Sequence, residues 1–416
     1  MIGFGLILPL LPIYSRELGA TPFENGMILA IFPITHLLMA SVIGAWSDRV
    51  GRKLPLLISA FGMVVTYALS VFMHNVVELA ILRFVAAFFT SAEAVCFAAM
   101  SDITTKEERS HGMALLGAAA SMGFVLGPAL AGFTVSMGIH VPFLIASLCS
   151  LVYALTVLFF LPDIRGTVEQ PQIARPTLFG SLSTGFHLVA KTPVLWITIL
   201  LIAAAAAGRV GWEGTFGLFL TGHASPIYDE RTFSWLLTIV GVTSVTLQLI
   251  VLPRIKNRFS EFTLIVVGGS GFAIGCGLLA TSQKVEVMIP ALIGIGFGFG
   301  LFSPSAFSVL SKMIPEGSTG AIMGVAKATS YTGRALAVSA AGLLFQIDAS
   351  LPIVGAGVVN ALCVVAVPVL VAMGVFREQV TGAACPCPLT QEGLAAPITS
   401  LSRSSRWEGR RGPRKT

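Results

Sequence analysis

Apolar residues along this chain come in long runs separated by short polar interruptions. A helix needs about 20 apolar residues to cross ~30 Å of hydrocarbon. Runs of that kind fall at 25–46, 54–73, 76–100, 111–135, 139–161, 194–222, 233–252, 262–281, 286–308, 319–346 and 350–375, eleven in all. Met1 to Tyr14 is apolar too, but at 14 residues it rises only about 21 Å. It has neither the basic flank nor the small-residue cleavage site of a signal peptide, and reads as the second half of a first span whose start is missing. The longest polar interval, 162–193, then divides six spans from six, and its stretch from Phe179 to Val189 is amphipathic enough to lie on a membrane surface. The predicted organisation is a helical bundle over 1–161, a linker over 162–193, a second bundle over 194–376 and a disordered basic tail over 377–416.

Composition agrees with a chain that faces lipid. Hydrophobic residues make up 55%, charged residues 11%, and the mean hydropathy is +0.86, whereas a soluble domain carries roughly 25% charged residues. The net charge of +6 is not spread as a nucleic-acid surface would spread it. Taking alternate loops, one side holds twelve Lys and Arg plus seven in the tail, and the other holds only Arg16, Arg231 and Lys284. The positive-inside rule assigns the first side, with the linker and tail, to the cytoplasm. The alternation works only for twelve spans, so the short first run counts as one. Of six cysteines, Cys96, Cys149, Cys276 and Cys363 sit in apolar runs, and Cys385 and Cys387 have no partners for a metal site. Neither metal, cofactor nor nucleophile constellation is expected, so the chain reads as a non-enzyme. A monomer in the bilayer is expected, its partners a small-molecule substrate and protons.

The loop after the second span reads Gly44-Ala-Trp-Ser-Asp48-Arg49-Val-Gly51-Arg52-Lys53. It is a tight charged turn in which glycines at 44 and 51 let backbones approach. This pattern at this place resembles the signature loop of the major facilitator superfamily. Further segments resemble its twelve-helix drug:proton antiporters, and among them the tetracycline efflux proteins. Span four carries Leu82-Arg83-Phe-Val-Ala and ends Asp102-Ile-Thr-Thr-Lys-Glu-Glu-Arg109. Span five carries Gly123-Phe-Val-Leu-Gly127-Pro128-Ala-Leu-Ala131-Gly132, like the family's antiporter motif, although Ala114 and Ala131 stand where glycines are usual. Span one keeps Gly3-Phe-Gly5-Leu-Ile-Leu-Pro9-Leu-Leu-Pro12-Ile-Tyr14. The resemblance covers about 1–380 and is closer in the first half; the counterpart of the Asp48 loop at Arg254 to Arg258 lacks both its Asp and its glycines. It implies two pseudo-symmetric six-helix bundles with the binding site between them at the midplane. It also implies a cytoplasmic latch in which Arg49 or a neighbour pairs with Asp102 while Asp48 faces the foot of span eleven near Gly320, contacts expected to hold the outward-open state and to break on the way to inward-open.

Six ionisable residues fall at membrane depth: Arg83 and Glu93 in span four, Arg209 and Glu213 in span seven, Lys327 and Arg334 in span eleven. Each costs about 2.5–3.5 kcal/mol on insertion scales and therefore calls for a partner or a role. Arg209 and Glu213 are four apart and stack on one helix face. Glu93 is ten residues from Arg83, about 15 Å along a helix axis, with no local partner. A dry setting disfavours the charged form of such a carboxyl, which is the property a proton carrier needs. Glu93 and Glu213, with Arg83 acting on their charge, are the proton-coupling candidates. Arg209, Glu213, Gln248, Lys327 and Arg334 are the cavity candidates. The midplane charge of +2 suits an anionic or zwitterionic solute better than a cation. These residues predict a proton-driven antiporter exporting small organic compounds; the alternatives are a proton-coupled uptake symporter and a transporter-like sensor without turnover.

Overall fold

In the computed structural model every regular element among the described residues is helical. It describes residues 2–104, 133–138, 140–162, 192–222, 228–255, 258–281, 284–314 and 319–373, with scattered positions in 116–131 and 186–190. In chain order the helices are α1 (Ile2–Ile7), α2 (Leu11–Glu17), α3 (Pro22–Val50), α4 (Lys53–Leu69), α5 (Val76–Thr90), α6 (Glu93–Ile103) and α7 (Val141–Phe160). They continue with α8 (Pro193–Gly222), α9 (Glu230–Thr246), α10 (Leu252–Ile255), α11 (Glu261–Thr281), α12 (Val285–Phe297), α13 (Ser303–Met313), α14 (Thr319–Ile347) and α15 (Leu351–Ala372). Nine helical segments among the described residues are long and apolar enough to cross a membrane.

The helix starts follow local chemistry. Thr21 and Glu24 form a reciprocal capping box at the start of α3, with Pro22 in the first turn, satisfying donors that have no partner inside the helix. Asn75 caps α5 by accepting from the Glu78 amide at 2.9 Å, and Asp229 caps α9 by accepting from the Thr232 amide at 3.1 Å. The turn that ends α3 uses Gly51 at φ +93°, a conformation open to glycine at little cost. Gly44 does not make the close approach expected of it: a Cβ there would meet nothing within 4 Å. Gly127 does, since its Cβ would stand 2.3 Å from the Gly5 carbonyl carbon, so span five and α1 touch backbone to backbone. Pro128 and Gly132 lie outside the described residues, as do most of spans 111–135 and the 162–191 interval.

Several expected spans are interrupted rather than continuous. The first run splits at Leu8–Leu10 into α1 and α2. Span four breaks at Ser91–Ala92, so Glu93 opens α6. Spans eight and ten each pass through a π-helical turn, Leu247–Val251 and Gly298–Phe302. Such wider turns leave backbone groups to be satisfied by other partners and recur at functional sites. Here the Gln248 amide donates to the Phe299 carbonyl at 3.2 Å, joining the two turns. α14 has the length to span but is not one of the nine apolar segments, because Lys327, Arg334 and its Ser, Thr and Gly residues dilute it.

The buried core mixes the two ends of the sequence. Leu6, Leu10, Tyr14, Phe143 and Ala146 pack with Ala335 and Val338 of α14, while Ile13 joins Trp212, Phe216 and Phe233 in another cluster. Large apolar residues such as Leu38, Val42, Leu148, Val152 and Leu362 are exposed, an outer face suited to lipid rather than water.

Candidate functional site

Helices α1, α3, α5, α6, α8 and α14 enclose a central chamber of about 250 Å³. All six midplane ionisable residues line it: Arg83, Glu93, Arg209, Glu213, Lys327 and Arg334. A smaller space of about 90 Å³ adjoins it across Arg209 and Glu213 and holds Gln248 and Phe299. A third, of about 410 Å³, adjoins it across Phe4, Thr90 and Glu93. Glu93 therefore stands on one boundary of the chamber and the Arg209–Glu213 pair on the other. Residues from opposite halves of the sequence converge here because α3 and α14 lie side by side.

The two carboxylates are held differently. Arg209 Nε donates to Glu213 Oε1 at 3.0 Å, and the guanidinium lies over the Phe299 ring at 4.1 Å. This is the local pair that the i, i+4 spacing predicts. Glu93 has a longer contact, 4.0 Å from its Oε2 to Nε2 of His36. His36 is buried, and its Nδ1 has no hydrogen-bond partner. Its ring packs between Phe32, at 5.4 Å, and Tyr331, at 5.0 Å. His36 escapes a reading of the sequence because a lone His in an apolar run has the pattern of a core residue; only its α3 position, facing Glu93 across the chamber, reveals it. Arg83 is 5% exposed, with its guanidinium 4.9 Å from the Phe32 ring and 5.6 Å from the Phe4 ring. Cation–π contact of this kind offsets part of the cost of burying it.

Beyond the chamber, α3 and α14 meet backbone to backbone. A Cβ on Gly26 would sit 2.7 Å from the Val338 carbonyl oxygen, and one on Gly342 would sit 2.6 Å from that of Pro22. Beside this seam, Asn25 Nδ2 donates to the Gly214 carbonyl at 3.2 Å and its Oδ1 accepts from Ser15 at 3.0 Å, tying α2, α3 and α8 together. The seam lies at the end of the bundle that carries Pro22 and Ile347.

At the opposite end sits the charged turn. Arg52, rather than Arg49, reaches Asp102: Nε to Oδ2 is 2.8 Å. Its Nη1 also meets Asp48 Oδ1 at 2.6 Å and Ser47 Oγ at 2.6 Å. Burial alone would lower the Arg52 pKa, but the Asp102 hydrogen bond and the charges of Asp102 and Asp48 outweigh it and raise the pKa further. Arg49 is exposed, and Lys53 opens α4. Asp48 engages Arg52; the side chains around Gly320 lie outside those described. Gly123 is buried.

The sequence profile of the Major Facilitator Superfamily matches residues 1–338 and again 214–383. The chain belongs to this superfamily. Within it, the chain is 28% identical over 340 residues to the tetracycline resistance protein, class H, of Pasteurella multocida, covering 80% of this chain and 83% of that one. It is 27% identical over 369 residues to multidrug resistance protein 2 of Bacillus subtilis (strain 168), covering 86% and 89%. The crystal structure of the nucleoside transporter NupG superposes with a TM-score of 0.72 at 14% identity, covering 89% of this chain and 96% of that one, a likeness of fold. The protein is thus an integral, multi-pass, all-α membrane protein with the major-facilitator fold. The chamber lies among the helices where such transporters build their midplane sites.

Proposed function

We propose that this protein is a proton-coupled antiporter that exports small organic compounds by alternating access, with Glu93 as the proton carrier. The similarity to proteins named for tetracycline and multidrug resistance supports the export reading. The observation that carries the choice of residue is the contrast between the carboxylates. Glu213 is bound by a guanidinium at 3.0 Å, whereas Glu93 lies beside a buried imidazole at 4.0 Å, on the boundary between two cavities. A carrier must take and release its proton in each cycle, and a carboxylate locked to an arginine is poorly placed for that.

In the same reading the sequence forms two six-helix bundles, the tail and linker are cytoplasmic, and the Gly26–Gly342 seam is the outer gate. The conformation is then inward-facing with Arg52 still on Asp102, so this contact, made within the first bundle, does not by itself hold the outward-open state as expected. Transport requires the seam to part while the feet of the bundles close.

A second reading, movement of proton and solute in one direction, is favoured by the unpaired cations of the chamber. An anionic solute and a proton on Glu93 would each ease the binding of the other, because coupling between two sites is reciprocal. Proteoliposomes with a trapped pH-sensitive dye separate the two. Antiport predicts that adding substrate on one side drives protons the opposite way, that Glu93→Gln abolishes the proton signal, and that Glu213→Gln leaves proton movement detectable. Proton movement with the solute in the same direction would replace antiport by symport. An intact signal in Glu93→Gln would remove Glu93 from the role.

A further inference from the structure

The chamber's charge is not balanced by its own residues. It holds four cations against two carboxylates, and one cation, Arg209, is taken up by Glu213. Among the described residues, none of Arg83, Lys327 and Arg334 forms an ion pair with a carboxylate within 4.0 Å. What these three have instead is aromatic faces: Arg83 over Phe32 at 4.9 Å, Lys327 over Phe307 at 5.5 Å, Arg334 over Tyr331 at 5.6 Å. The Nε atoms of Arg83 and Arg334 are buried and make no hydrogen bond. Cations placed at membrane depth without counter-ions mark a site for a negative ligand, since they repel a positive one, and aromatic contact offsets only part of the hydration that the buried Arg83 and Arg334 guanidiniums lose.

The placement gives the ligand a shape as well as a sign. Lys327, Tyr331 and Arg334 recur at i, i+4 and i+7 along one face of α14. Lys327 is exposed and Arg334 less so, so an entering acid group meets the lysine before the arginine. From that face the rings of Tyr331, His36, Phe32 and Phe4 follow one another at 5.0, 5.4 and 4.7 Å, a continuous aromatic wall running from α14 through α3 to α1. We propose that the chamber binds an organic anion with a planar aromatic body, its acid group at Arg334 and Lys327 and its rings against the Phe4–Phe32–His36–Tyr331 wall. A guanidinium suits the acid group because its paired N–H groups match the two oxygens of a carboxylate. This assignment rests on the transporter reading but not on the direction of proton movement.

Equilibrium binding to the full chain in phosphatidylcholine nanodiscs, where no anionic headgroup competes, tests it with three probes of one ring system: 2-naphthoate, 2-naphthamide and 2-naphthylmethylammonium. The expected result is that 2-naphthoate binds about tenfold or more tighter than the other two, a difference of one counter-ion contact. Arg334→Gln and Lys327→Gln each weaken 2-naphthoate binding and leave 2-naphthamide binding nearly unchanged, while Arg258→Gln, in an exposed turn, changes neither. Arg334→Lys recovers part of the loss. Thermal unfolding of each variant checks that it folds, and the exposed Lys327 carries the test if the arginine variants do not. Equal or tighter binding of the cation, no preference for 2-naphthoate, or a preference indifferent to both substitutions overturns the proposal. Because no gradient is applied, loss of proton exchange with the naphthoate preference intact would sink the antiport reading alone.

Discussion

Arg52 shows how one side chain can organise a helix foot. With Asp48, Ser47 and Asp102 all within 2.8 Å, it joins the end of α3 to the end of α6. Hydrogen bonds to charged groups contribute about 1.5–3 kcal/mol each when sheltered; the two carboxylates here are about a third exposed, so the lower end applies. Arg52→Asp and Asp102→Arg should each lower transport by about tenfold, a loss of about 1.4 kcal/mol. The double swap should recover most of it, as a coupled pair requires. Uptake assays on the four proteins decide this, and a double variant no better than its parents would refute the pairing. The sequence singles out the loop and Asp102 but not which of three neighbouring cations reaches across, because that depends on the φ of +93° at Gly51, which turns the chain after Arg49. At the chamber the same limit appears in another form. The six charged residues stand out against an apolar background, but that Arg83 and Glu93 share one chamber with the other four depends on how α5, α6, α8 and α14 pack. His36 did not stand out, because burial and ring contacts, not residue type, distinguish it from a core histidine.

At the scale of elements, the long helices follow from apolar run length and from caps such as Thr21 and Asn75. Their interruptions do not. The breaks at Leu8–Leu10 and Ser91–Ala92 and the two π-helical turns sit inside runs that read as single spans by run length, although Pro9 at the first break and Thr90, Ser91 and Glu93 around the second are local signals against an unbroken helix. The two π-helical turns also meet each other through the Gln248 to Phe299 hydrogen bond. The α3–α14 seam is another tertiary feature, and it makes a prediction about alternating access. At Gly342 a Cβ would be 2.6 Å from backbone at Pro22, which cannot move aside as a flexible side chain can. Gly342→Val should therefore force apart the ends of α3 and α14 that carry Pro22 and Ile347. In a cysteine-free background, Leu29→Cys, buried on the chamber side of the seam, should become reactive to an impermeant maleimide from outside when Gly342→Val is added. Transport should fall several-fold, since a gate that does not close cannot complete the cycle. Unchanged labelling would mean that the seam is not the gate.

For the whole molecule, function depends on which end faces the cell interior, and the proposed orientation rests on loop charge rather than on any single contact. In the proposed twelve-span topology, nineteen Lys and Arg fall on one side against three on the other. Moving each positive charge across a membrane potential costs about 2.3 kcal/mol per 100 mV, so a bias this large opposes the inverted orientation at every step of insertion. Two exposed positions, Lys284 before α12 and Arg258 before α11, fall on opposite sides of this assignment. With the six native cysteines replaced, Lys284→Cys should react with an impermeant maleimide on intact cells, and Arg258→Cys only after the membrane is permeabilised. The reverse pattern would invert the molecule. The Gly26–Gly342 seam would then be a cytoplasmic gate and the Arg52–Asp102 foot would face outward. The conformation described here would become outward-facing, and the chamber's unpaired cations would meet solute arriving from outside, the arrangement an uptake carrier needs. One labelling experiment on two residues thus fixes how every conformational statement about the chamber maps onto export or import.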